Sequence, residues 1–115
     1  MKVLISGVIR ISPHQREEAL RQAYPYIQDA LKEPGCIAYQ WSADVNESDL
    51  IYVYEEWESQ HHLQYHFSAP SYLSMLAHLG NYEITETRVY KYLCSQKQPV
   101  YDLDDRPTAY FSNGQ

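Results

Sequence analysis

Between residues 50 and 67 the chain changes period within a few residues, and that junction restricts the possible folds more than any other stretch. Leu50-Ile51-Tyr52-Val53-Tyr54-Glu55-Glu56-Trp57 is dense in β-branched and aromatic side chains and reads as a strand. Ser59 then offers a hydroxyl able to cap a helix, and Leu63 and Phe67 are spaced as one helical face, so a helix starts at once. Such a handover makes the helix fold back over one face of the sheet. Strand alternation puts Ile51, Val53, Glu55 and Trp57 on one face and Leu50, Tyr52, Tyr54 and Glu56 on the other. A carboxylate and an indole thus lie side by side, and His66, about two turns into the helix, reaches the same space.

The rest of the chain supplies partners for that corner. Residues 2–11 alternate with Val3, Ile5, Gly7, Ile9 and Ile11 on one face, a strand in which Gly7 marks a bulge or a close backbone approach. Ser12-Pro13-His14-Gln15 carries a capping serine, a proline for the first helical position and a glutamine three residues on. Leu20, Ala23, Tyr24, Ile27, Ala30 and Leu31 follow as an apolar stripe, with a kink or break expected between Arg21 and Tyr24 because Pro25 removes a backbone hydrogen bond. Pro34-Gly35 ends that helix. Residues 36–45 form a second strand, joined to the third by a turn rich in Asp, Asn and Ser. Ala69-Pro70-Ser71 interrupts the second helix, a further helical piece carries Tyr72, Met75 and Leu79, and residues 84–93 make a fourth strand.

The order strand, helix, strand, strand, helix, strand predicts an α+β, ferredoxin-like βαββαβ fold: a four-stranded antiparallel sheet with its helices on one face. The other face would carry too many aromatic side chains to stand in water, so a second copy packed sheet against sheet is expected, giving a homodimer. The domain is placed at residues 1–95, with residues 96–115 as a polar tail, extended or disordered, that reaches a partner subunit.

Composition narrows the partners. The chain has 115 residues, twelve of them tyrosine, and a formal charge of −6 without a Lys/Arg cluster, which argues against nucleic acid and anionic membrane. No stretch has membrane-spanning length and the N-terminus lacks a signal-peptide hydrophobic run, so a cytoplasmic protein is expected. Cys36 and Cys94 are read as reduced, packed thiols.

Each candidate residue has two readings. Trp57 either plugs the gap between sheet and helix or lines a ligand pocket. Glu55, costly to bury unless bonded or protonated, is either a satisfied structural acid or a proton-transfer group. His66 is a surface or core histidine, or faces the pocket. Val53, Phe67, Tyr72 and Met75 are the expected substrate-binding side chains beside it. His62 and His66 have His-x-x-x-His spacing, but no companion carboxylate, and no metal site is expected.

Pro34-Gly35-Cys36-Ile37-Ala38-Tyr39, Tyr54-Glu55-Glu56-Trp57-Glu58-Ser59, the following His66 and the Ser12-Pro13 helix start together resemble the antibiotic biosynthesis monooxygenase domain family over roughly residues 2 to 94. The resemblance implies a dimeric α+β barrel. It also implies one of several activities: cofactor-independent oxygenation of anthrones and hydroquinones, haem degradation, or isomerase-like processing of signal molecules. Haem-degrading members resemble one another in a first-strand asparagine, where this chain has Ser6 or Gly7. Anthrone-oxidising members tend to share a third-strand asparagine, where it has Val53. The resemblance thus leads to a catalytic set of His66, Glu55 and Trp57 without cofactor or metal, acting on a small aromatic or quinol-type substrate. His66, or Glu55 through His66, would take a proton and Trp57 would stack on the ring. A dimer that binds a small molecule without turnover, and an isomerase-like activity at the same base, stay open at this point.

Overall fold

Four antiparallel strands, Lys2–Ile11 (β1), Cys36–Ala43 (β2), Leu50–Trp57 (β3) and Ile84–Cys94 (β4), form a single sheet in the order β2-β3-β1-β4. This computed structural model describes residues 1–113; Gly114 and Gln115, the end of the expected tail, lie outside the described residues. Between the strands stand Arg16–Gln22 (α1), Tyr24–Leu31 (α2), Gln60–Ser68 (α3) and Pro70–Leu79 (α4), which gives the βαββαβ arrangement with each helix broken in two.

Both breaks follow from proline. α1 and α2 meet at Ala23, just before Pro25 in the first turn of α2, within the expected interval. α3 and α4 meet at Ala69, whose extended backbone precedes Pro70. Ser59 caps α3 as its position predicts, its Oγ accepting the His62 backbone N–H at 3.2 Å. Ser12 does not cap. Pro13–Gln15 form a 3₁₀ turn, the Ser12 hydroxyl pairs with His14 Nδ1 at 3.0 Å, and Gln15 Oε1 accepts the Glu83 backbone N–H. The motif's polar groups are therefore spent on tying the first connection to the start of β4.

The buried part of the expected apolar stripe is narrower than the stripe itself. Ala19, Ala23 and Ala30 are buried, whereas Tyr24 and Leu31 are 63% and 43% exposed, because residues one step past the inward positions turn toward solvent. The second strand ends at Ala43, two residues short of the expected limit, as Asp44 turns to accept the amides of Asn46 and Glu47. Val3, Ile5, Ala30, Tyr39, Trp57 and Leu63 make the main core. Gly7 is a close-approach position: a Cβ there would run into the backbone of Arg88 and Val89 on β4. Gly35 (φ 76°) ends the first connection in a left-handed turn where a Cβ would meet the His62 ring.

Helix coverage is uneven, and this shapes the site. α1 and α2 pack on β2, α3 on β1 and β3, and α4 on α2 and α3. α4 consequently stands off the β1–β4 half of the sheet and leaves a hollow beneath it. On the opposite face Leu4, Val8, Tyr52, Tyr54, Tyr90 and Tyr92 share one side of β1, β3 and β4, and Tyr52, Tyr90 and Tyr92 are about half exposed. After β4, residues 95–113 fold back on themselves through a Tyr101–Pro107 bridge and Gln98–Ser112 hydrogen bonds, and Phe111 borders a small hollow together with Leu4, Tyr54 and Glu56 at one corner of that face. Cys36 and Cys94 are free thiols.

Candidate functional site

Alternation along β3 aims Val53, Glu55 and Trp57 at the helices, and burial follows: Glu55 is 7% exposed and Trp57 fully buried. A carboxylate this far from water needs a donor. The Trp57 indole, two residues on along the same face, gives its Nε1–H to Glu55 Oε1 at 2.9 Å. Burial pushes the Glu55 carboxyl above its ordinary value; the Trp57 hydrogen bond and the nearby His66 act against that rise, and Glu33 adds to it.

His66 is held from the other side. It is 1% exposed, and its Nδ1 lies 2.9 Å from Glu33 Oε1. The second oxygen of Glu33 accepts the Ser71 hydroxyl. Glu33 follows α2 and Ser71 sits in the first turn of α4, so one carboxylate fastens α3 to both neighbouring helices. The imidazole lies against Trp57, with ring centroids 4.5 Å apart and a 33° tilt, and meets Tyr39 and Tyr72 edge-on at 5.6 and 5.3 Å.

The hollow under α4 has a volume of about 820 Å³. Glu55, Val53, Phe67, Tyr72 and Met75, all expected there from strand parity and helix period, line it. Trp57 and His66 do not reach its surface. The acid, indole and imidazole therefore do come together, but only the acid faces the space, with the two rings stacked behind it. His62 and His66 do not act as a pair: His62 turns to Ser59 and His66 to Glu33. Among the described residues no group of three or more His, Cys, Asp or Glu side chains is placed to hold a metal ion.

Sequence reasoning misses Glu33, Tyr39 and Trp41. Tyr39 is the cross-strand partner of Glu55, and burial followed by the Glu55 charge raises its hydroxyl pKa, with Trp41 opposing. Trp41 lines the hollow beside Tyr39, with its Nε1 buried. Burial, with Glu33 and Glu55 adding, pushes the Cys36 thiol up to about 11, which keeps it protonated and unreactive. Alternation of residues 36–43 does put Tyr39 and Trp41 on one face. No local pattern identifies Glu33, whose partner lies 33 residues away.

The antibiotic biosynthesis monooxygenase family matches residues 3–78. A curated relative, an uncharacterized protein of Synechocystis, is 28% identical over 96 residues, covering 75% of this chain and 65% of its own length. Among solved structures, a candidate antibiotic biosynthesis monooxygenase from Deinococcus radiodurans superposes with a TM-score of 0.77 at 17% identity, over 87% of this chain and 99% of that one. A conserved protein from Methanosarcina mazei gives 0.72 at 21% identity, over 80% and 91%. At these identities the structural likeness speaks for the fold alone.

Proposed function

Because the chain belongs to the antibiotic biosynthesis monooxygenase family, we propose that it oxygenates a small aromatic, quinol-type substrate, with Glu55 as the proton acceptor. The observation that carries this reading is one carboxylate, buried and raised in pKa, on the wall of a cavity otherwise rich in aromatic and aliphatic side chains. Glu55 takes a proton from a hydroxyl or a doubly activated methylene of the guest. The resulting electron-rich anion reduces dioxygen and combines with it as a peroxide. Its O–O bond breaks as the carbon that carries it loses its remaining hydrogen: a methylene, or a quinol's ring C–H, becomes a carbonyl, one oxygen atom stays on carbon and the other leaves as water.

Trp57 is a positioning residue in this scheme, since its indole holds Oε1 and leaves Oε2 to receive the proton. His66 acts through Trp57, and Glu33 and Ser71 keep it in place. Phe67, Tyr72 and Met75 hold the flat ring and exclude water that would protonate the anion. The working unit is a homodimer joined through the tyrosine-rich face, which no helix among the described residues covers.

Enolisation or isomerisation would use the same base, so the experiment records both oxygen and protons. A panel of anthrones and hydroquinones is incubated with the protein while oxygen uptake and deuterium exchange are followed. Uptake of one dioxygen per substrate supports oxygenation. Exchange at the acidic position without uptake refutes oxygenation in favour of proton transfer alone, and silence in both channels refutes Glu55 as a catalytic residue for these substrates.

A further inference from the structure

We propose that Lys91 makes the cavity selective for an anionic guest: a flat, fused-ring acid whose carboxylate meets Lys91 while its acidic hydroxyl or methylene meets Glu55. This rests on the reading of Glu55 as the proton acceptor and extends it to the other end of the ligand.

Strand register carries the inference. Ile5 on β1 is the cross-strand partner of Glu55 on β3 and also of Lys91 on β4, and Glu55 is in turn opposite Tyr39 on β2. Tyr39, Glu55, Ile5 and Lys91 therefore form one straight row across the sheet, on the side facing the helices. Glu55 and Lys91 are two inter-strand spacings apart, about 10 Å from backbone to backbone. A naphthalene-sized ring system with substituents at opposite ends spans such a gap, whereas a single-ring quinol reaches only one end.

The two ends differ in chemistry. Both residues line the hollow, and among the described residues Lys91 is the one Lys or Arg that does. Glu55 lies deep, while Lys91 is exposed on an edge strand and also borders a smaller hollow beside Leu63 and Phe67, a position at the mouth. Among the described residues no carboxylate comes within salt-bridge distance of Lys91, although the carboxylates near Arg10, Arg21 and Arg88 do pair. A chain of charge −6 repels anions at long range, so an unpaired cation at the mouth supplies the local attraction an acid would need.

The test measures binding of 6-hydroxy-2-naphthoate, its methyl ester and 2-naphthol to the full chain by quenching of tryptophan fluorescence, for wild type, Lys91→Ala and Lys91→Arg. Wild type binds the acid about fivefold or more tightly than the ester, the size of a partly exposed charge contact. Lys91→Ala removes that preference with ester affinity unchanged, and Lys91→Arg retains it. An acid preference that survives Lys91→Ala, or no preference in wild type while ester and naphthol still bind, overturns the role of Lys91 and leaves Glu55 untouched. Failure of all three arenes to bind overturns the cavity reading together with it.

Discussion

Trp57 gives its indole N–H to Glu55 Oε1 at 2.9 Å, two positions back along β3, and so fixes a carboxylate on the cavity wall. The bond stabilises the charged form of an acid that burial works to neutralise. Most of the behaviour expected of the site follows from that opposition.

The first consequence concerns pH. Burial holds the folded-state pKa of Glu55 above the ordinary value of 4.5, so its favourable contribution to folding is full at lower pH and is lost as pH rises through the folded-state value. Glu55→Gln is therefore more stable than wild type at pH 7.5, and the difference shrinks toward zero near pH 4. Thermal melts of both proteins across that range check the sign. A glutamine variant less stable than wild type at neutral pH would show the carboxylate to be a net stabilising group.

Trp57→Phe keeps the ring and removes the donor. It should cost about 1–3 kcal/mol in urea unfolding, through the lost hydrogen bond and a small cavity. Because the donated bond lowers the Glu55 pKa, its loss also shifts the rising limb of the pH–rate profile to higher pH. An unmoved profile would mean the indole does not tune the acid.

Glu33 serves two neighbours, so its removal strands both. Glu33→Ala leaves His66 Nδ1 and the Ser71 hydroxyl without their acceptor and should cost about 2–4 kcal/mol, against about 1 kcal/mol for Ser71→Ala. The double variant should be less destabilised than the sum, since the two changes break one network. Strict additivity in urea unfolding would indicate that the two bonds act independently.

The tyrosine-rich face predicts the assembly. Light scattering on wild type should give twice the mass of one chain, and Tyr52→Glu combined with Tyr90→Glu should halve it with far-ultraviolet circular dichroism preserved, because both side chains stand half exposed on the open face. A dimer unaffected by the pair would place the interface elsewhere.

Features legible in the amino-acid sequence are local in origin. The β3-to-α3 junction is legible because residue types, the Ser59 cap and the Leu63 to Phe67 spacing agree over a short window. The breaks at Ala23 and Ala69 are legible because proline acts on its own neighbours. Val53, Glu55, Phe67, Tyr72 and Met75 can be placed together because strand parity and helix period fix their directions. Ser12 misleads because a capping sequence states what a hydroxyl can do, while His14 and the start of β4 decide what it does. Tyr24 and Leu31 turn outward because each stands one step past a buried alanine, Ala23 and Ala30, at the edge of the stripe. Glu33 and the withdrawal of His66 behind the wall are tertiary facts, set by how α2, α3 and α4 pack, and no window of sequence contains them.

The central claim is that Glu55 takes the proton that starts the chemistry, and oxygen uptake by Glu55→Gln tests it most directly. At pH 7.5, with a substrate that wild type consumes, the variant should bind the arene normally and turn over at least about a hundredfold more slowly. Turnover at the wild-type rate would contradict it.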